Sequence, residues 1–267
     1  RQGYELVYDA AVSGERFTHD LEAQTVQFSP RLVIAKRARQ ELVDDAVINF
    51  GFGIPDQVAK LIAGDGMSDR YYQTIEHGTY GGRLMDGDLF GYAMNPNCMI
   101  DGPSQFDFYS GGGLDIAFLG FGEIDAAGNV NVSKLAGNTV GPGGFIDIAQ
   151  NAHTVVFCGT FDTGGTRLEI GKGRLEIATH GRIAKLVSEV DQITFSGAQA
   201  LTQGQQIIYV TERAVFELTE EGVSLIEIAP GVDLERDILN RMGFAPHISA
   251  APRVMDGLLF TDVEGEI

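Results

Sequence analysis

The chain has 267 residues, 44% hydrophobic and 21% charged, which suits one large packed domain or two small ones and excludes a disordered chain. Nineteen basic against 37 acidic residues give a formal charge of -18, a surface that repels nucleic acid and anionic lipid. No apolar run approaches the roughly 20 residues of a membrane span. Residues 1–28 read as an irregular or extended lead-in or interdomain linker, and their wording suggests a fragment or one subunit of something larger. Residues 29–267 read as the main domain. In "SPRLVIAKRARQEL", Ser29 as N-cap and Pro30 at the first helical position predict a helix to about Leu42. "DDAVINFGFGIP" predicts a short buried strand from Ala46 to Phe50 that enters a glycine turn. Pro55 then opens a second helix, with Val58, Leu61 and Ile62 on one face and Gly64 at its end. "YYQTIEHG" is the next strand, and "LDIAFLGFGEID" is apolar enough for a strand covered on both faces. "DAAGN" turns into "VNVSKL", and "AHTVVFCGTF" is another buried strand. "RLEIGKGRLEIATHG" predicts a hairpin around Gly-Lys-Gly, and the run from "QITF" to "LIEIA" predicts several further strands. "PGVDLERDILNRMG" predicts a C-terminal helix with Asp233 as N-cap and Gly243 closing it. Strand, glycine turn and helix in succession define an α/β class: an open, mainly parallel sheet flanked by helices, with additional β-hairpins.

The 35 glycines are aperiodic and cluster between apolar runs, where tight turns form or a backbone approaches a ligand. "GFGIP" (Gly51, Phe52, Gly53, Ile54, Pro55) is either an ordinary strand-to-helix turn or a backbone nest that holds an anion or lines a site. "GPGGF", containing Gly143 and Gly144, is either a tight loop between strands or an oxyanion hole. Glu76 in "TIEHGTYGG" ends a strand among Gly78, Gly81 and Gly82. Local sequence leaves it open as a solvated charge, a helix cap, a metal ligand, a base or a nucleophile. His77 is expected to point away from Glu76, because neighbours on a strand face opposite sides. Asn131 and Lys134 are read as structural residues within reach of a ligand. The histidines show no HxxxH or HxH spacing, and Cys98 and Cys158 stand alone, so no metal site is expected. The lone cysteines favour buried thiols and a reducing, cytoplasmic setting.

Taken together, "INFGFGIPDQVA", "TIEHGTYGG", "GGGLDIAFLGFGEIDAAGNVNVSKL", "GPGGFIDIAQNA", "VVFCGTF" and "QITFSG" resemble the family I coenzyme A transferases. The resemblance is to the acetate/propionate and short-chain branch, and to the C-terminal, beta-type half that carries the catalytic glutamate. It implies a coenzyme A transferase (NagB/RpiA-like) fold. It also implies transfer of coenzyme A between a short-chain acyl-CoA and a carboxylate, by a ping-pong route through a glutamyl-CoA thioester. The residue matching the family glutamate is Glu76, followed by His77 where many relatives have Asn. The resemblance assigns Gly143 or Gly144 to the oxyanion and the Gly51–Pro55 turn to the coenzyme A arm or the glutamate. The glycines beside Glu76 then read as space for an incoming thioester. No tightly bound cofactor is implied, coenzyme A being substrate and covalent intermediate. The implied partners are an acyl-CoA, a short-chain carboxylate and the N-terminal, alpha-type half of the enzyme, with homo-oligomeric assembly of the whole. That second half would supply part of the acyl pocket and the cations that this acidic chain lacks for the coenzyme A phosphates. Two other readings share the fold: an acyl-CoA hydrolase, and a non-catalytic subunit or ligand-binding domain.

Overall fold

A computed structural model describes residues 7–19, 21, 26–85, 87–248 and 250–262. Ten strands form one sheet: β1 (Val47–Phe50), β2 (Tyr72–Ile75), β3 (Thr79–Tyr80), β4 (Cys98–Met99), β5 (Ile116–Gly120), β6 (Thr154–Cys158), β7 (Gln206–Val210), β8 (Ala214–Thr219), β9 (Gly222–Ile228) and β10 (Arg253–Val254). Their spatial order is β10-β9-β8-β7-β6-β5-β1-β2-β3-β4. The five central strands, β2-β1-β5-β6-β7, are mutually parallel. Antiparallel strands extend both flanks, with β10 parallel to β9 at one edge. The expected open, mainly parallel sheet is the architecture observed. The chain winds outward from β1 to β2 and then returns to β5 on the other side of β1. That reversal opens a crevice at the carboxyl ends of β1 and β5.

Alternation along the central strands supplies two cores. Ile116, Phe118, Val156 and Cys158 face one way, and Ala117, Leu119, Val155 and Phe157 face the other. The first face packs under helices α1 (Pro30–Ala38) and α2 (Ile54–Gly64). The second packs under α3 (Gly102–Phe108), α4 (Phe145–Asn151) and α5 (Gly197–Gln203). Ser29 caps α1, its side chain accepting from the Leu32 N–H, as the sequence predicts. A 3₁₀ turn, Arg39–Glu41, carries the helical path almost to Leu42. The hairpin around Gly-Lys-Gly forms, with Lys172 at φ 53 and Gly173 at φ 75.

Two segments differ from expectation. Residues 197–203 are helical, with Ser196 accepting from the Gln199 N–H and Gly204 left-handed at the end. Their cap signals sit between strand-like runs, and the helix buries only Gly197 and Ala200, too little for a readable apolar stripe. The C-terminal segment is capped by Asp233 but winds as a π turn, Leu234–Ile238, followed by a 3₁₀ turn, Leu239–Arg241. The described part of the lead-in contains no helix or strand, and the rest of the 1–28 reading lies outside the described residues. The lead-in docks on the body through Asn95, whose amide bonds both the N–H and the C=O of Thr18.

A buried ion cluster locks the loops after β6 and β7. Arg213, fully buried, donates from Nε to Glu212 Oε1 at 3.1 Å. Its NH2 lies 2.8 Å from Asp162 Oδ1, in charge contact but off the hydrogen-bonding direction. NH1 lies 3.1 Å from His180 Nδ1, and as a guanidinium has no acceptor capacity it must donate. The imidazole proton therefore sits on Nε2, toward Asp237 Oδ1 at 3.4 Å. Burial, then the Arg213 and Arg241 charges, hold His180 below the usual imidazole range. The unfolded chain therefore takes this proton first as pH falls through 6.5, and stability drops from there down to the folded-state pKa. Denaturant unfolding followed from about pH 7.5 to 5.5 should show a loss in the wild type that His180→Asn lacks. Equal pH slopes in the two proteins would refute the assignment.

Candidate active site

Glu76 sits at the corner of the hairpin joining β2 to β3. Ile75 pairs with Thr79, and the Gly78 N–H closes the turn on the Ile75 carbonyl at 2.9 Å. This three-residue loop needs a residue of positive φ at its end, and Gly78 supplies φ 99. Since β2 runs parallel to β1, the corner stands at the same sheet edge as the Gly51–Pro55 turn. Glu76 is half-buried there.

Below it, Asn49 on β1 extends Nδ2 to Glu76 Oε2 at 3.5 Å and to the Tyr109 hydroxyl at 3.2 Å. The Tyr109 hydroxyl is 2.6 Å from Thr74 Oγ1, and Thr74 donates to the Ile48 carbonyl at 2.8 Å. Burial pushes the Tyr109 phenol up to about 12, with the Glu76 charge adding to the shift, so it stays protonated at physiological pH. Gln105, fully buried, lies within reach of Tyr80 and Tyr109 but makes no well-formed hydrogen bond.

The GPGG loop arrives from the other side. A Cβ on Gly144 would stand 3.4 Å from Glu76 Cγ and 2.8 Å from the Phe106 ring. Bare glycine is what lets the loop come this close. The loop does not join two strands; it leads into α4, with Gly144 as its N-cap. Among the described residues, the N–H groups of Gly143 and Gly144 have no hydrogen-bond acceptor. Uncommitted N–H donors on a loop that approaches a carboxylate can receive charge developing on a carbonyl oxygen bound there.

The GFGIP turn lies at the crevice. The Gly51 N–H donates to the Phe118 carbonyl of β5 at 2.8 Å, and a Cβ there would meet that carbonyl at 3.2 Å. Gly53 is the N-cap of α2, and Ile54 and Pro55 form its first turn. The anion-nest reading does not hold for this helix end, because Asp56 Oδ2 already accepts from the Gly53 N–H at 3.1 Å. Its charge would repel a second anion. Phe52 is 64% exposed and packs edge-on against Phe90 at 5.6 Å. Phe90 in turn contacts His77, whose ring lies over Gly91. His77 is thus a packing residue of the loop rather than a partner of Glu76.

Several other readings are corrected by the structure. Gly78, Gly81 and Gly82 are not open space: a Cβ at each would stand 2.0 Å from the Ile100 carbonyl, 2.5 Å from the Asn97 side chain and 2.5 Å from the Met94 carbonyl, respectively. They let the 94–100 segment pack against the hairpin. Cys98 is exposed; Cys158 is buried, and burial pushes its thiol up. Asn131 braces its own loop through Glu123 and the Lys134 carbonyl, and Lys134 pairs with Asp191 at 2.9 Å. Sequence reasoning missed Asn49, Thr74, Gln105, Phe106 and Tyr109. The available signal was a polar residue in the otherwise apolar "VINF" strand.

No family model matches the chain. It is 44% identical over 251 residues to acetate CoA-transferase YdiF of Escherichia coli O157:H7, covering 94% of this chain and 47% of that protein. It is 45% identical over 262 residues to caffeate CoA-transferase of Acetobacterium woodii, covering 96% and 50% respectively. Acetate CoA-transferase subunit beta of Haemophilus influenzae is 29% identical over 217 residues, with 85% of that subunit covered. The YdiF apoenzyme crystal structure superposes with a TM-score of 0.88 at 41% identity, over 98% of this chain and 48% of that one. A YdiF thioester complex with CoA superposes at 0.83 and 42% identity, over 92% and 46%. The chain thus spans about half the length of the longer curated relatives it matches. It belongs to the coenzyme A transferases. Within them it matches the beta-type half.

Gly78→Ala places a methyl group against a backbone carbonyl at an unfavourable φ. Denaturant unfolding should show a loss of about 2–4 kcal/mol, whereas a loss within about 0.5 kcal/mol would contradict the packing role.

Proposed function

We propose that this chain is the glutamate-bearing half of an acyl-CoA:carboxylate coenzyme A transferase acting on short-chain acyl-CoA. One observation carries the reading: Glu76 stands at the carboxyl edge of the sheet beside the Asn49 amide, with the GPGG loop so close that a Cβ on Gly144 would lie 3.4 Å from Glu76 Cγ. The names of the relatives, and the thioester complex formed with CoA by YdiF, support it.

A Glu76 oxygen attacks the thioester carbonyl carbon of the acyl-CoA. The negative charge moves to the carbonyl oxygen, where the Gly143 and Gly144 N–H groups receive it, each such donor being worth about 3–4 kcal/mol. The tetrahedral species expels the coenzyme A thiolate and leaves an acyl-glutamyl anhydride. The thiolate then attacks the glutamyl carbonyl and releases the acyl group as a free carboxylate, giving a glutamyl-CoA thioester. An acceptor carboxylate reverses both steps, leaves with coenzyme A and regenerates Glu76. Covalent catalysis divides one exchange into steps of similar chemistry. Binding of the long coenzyme A arm brings the reacting atoms together.

The complete enzyme pairs this chain with an alpha-type half, consistent with its span of about half of the longer relatives. A symmetric homo-oligomer in a reducing, cytoplasmic setting is part of the same reading, Cys98 being free and exposed.

Incubating the complete enzyme with acetyl-CoA, followed by borohydride trapping and mass analysis, should place a coenzyme A adduct on the Glu76 peptide. Glu76→Gln should lower label exchange between acetate and acetyl-CoA by roughly a thousandfold or more, with the thermal midpoint unchanged. Near-wild-type exchange in that variant would remove the nucleophile assignment.

A further inference from the structure

We propose that Tyr109 and Thr74 are positioning residues that fix which end of the Asn49 amide faces Glu76. The inference rests on the proposed role of Glu76 and follows from counting hydrogens along a buried chain.

The chain starts at the Ile48 carbonyl, which can only accept. Thr74 Oγ1 lies 2.8 Å from it, so the single Thr74 hydrogen must occupy that contact. Thr74 Oγ1 can then only accept from Tyr109, 2.6 Å away, so the phenolic hydrogen points at Thr74. That leaves only lone pairs of the Tyr109 oxygen facing Asn49 at 3.2 Å. Asn49 must therefore turn its NH2 group toward Tyr109. The second hydrogen of the same nitrogen is then left for Glu76 Oε2 at 3.5 Å. In the opposite orientation Asn49 Oδ1 would face two oxygens with no hydrogen between them.

Asn49 Oδ1 is buried and has no hydrogen-bond partner, so the contacts made by Nδ2 alone set the orientation of the amide. Asn49 and Thr74 sit on neighbouring parallel strands and pair directly in register. Tyr109 reaches them from the end of α3, fully buried. All three groups are therefore held by sheet and core, and none depends on a loop. Tyr109 and Thr74 act on Glu76 only through the Asn49 amide.

Thr74→Val removes the hydroxyl that takes the Tyr109 hydrogen while keeping side-chain shape. The phenol is then free to point its hydrogen at Asn49, and the contact that holds the amide nitrogen toward Glu76 is lost. In the complete enzyme, Thr74→Val and Tyr109→Phe should each lower kcat and the rate of adduct formation on Glu76 roughly tenfold. KM for acyl-CoA should stay within about twofold, and Thr74→Ser, which returns the hydroxyl, should restore kcat. Should Tyr109→Phe fold poorly, the comparison of Thr74→Val with Thr74→Ser decides alone. Wild-type kcat in Thr74→Val, or an equal loss in Thr74→Ser, would overturn the inference. If the unaltered enzyme forms no adduct on Glu76, the functional reading fails and this inference with it. If it forms the adduct, and Thr74→Val forms it equally fast, only the relay fails.

Discussion

Five central strands run in one direction, and the candidate site depends on that constraint. Parallel pairing places the carboxyl ends of β1, β2, β5, β6 and β7 along one edge. Residues far apart in sequence are delivered to that edge without a dedicated contact to bring them there. Glu76 follows β2, Gly51 follows β1, and the GPGG loop returns above the same edge before α4. The reversal of winding between β1 and β5 keeps the crevice open, because the connections leave toward opposite faces.

At the crevice, hydrogen-bond arithmetic takes over from packing. The Ile48 carbonyl, Thr74, Tyr109, Asn49 and Glu76 form a chain in which each hydrogen has one place to go. On the loop that approaches the carboxylate, the Gly143 and Gly144 N–H groups have no acceptor among the described residues. Donors that are fixed and unspent before reaction need no reorganisation when charge develops, which is the physical advantage of such a site. The glycines divide the labour. Gly144 allows a loop to approach the carboxylate, whereas Gly78, Gly81 and Gly82 let the neighbouring chain lock the corner that carries it.

Charge is managed separately at the other end of the same edge. Arg213 is fully buried among Glu212, Asp162 and His180, tying the loops after β6 and β7 together. Such a cluster is costly to break because either partner alone would be a stranded buried charge. The exposed surface remains strongly acidic.

The sequence by itself determined whatever rests on near neighbours. The Ser29 cap, the Gly-Lys-Gly hairpin, the buried central strands and the α/β class follow from local hydrogen bonding, backbone freedom and unbroken apolar runs. So does Glu76 at a strand end, and the ordered glycine loops pointed to its family. Helix α5 was hidden because its caps lie between strand-like runs and it buries little. Tertiary structure alone decided which groups surround Glu76. Asn49 and Tyr109 are 60 positions apart, and nothing in either local stretch encodes their contact. The same holds for the glycines: sequence shows where a side chain is missing, but only the fold shows whether a ligand or the protein's own backbone takes the space. Hydrogen-bond direction and excluded volume are set by what arrives from elsewhere in the chain.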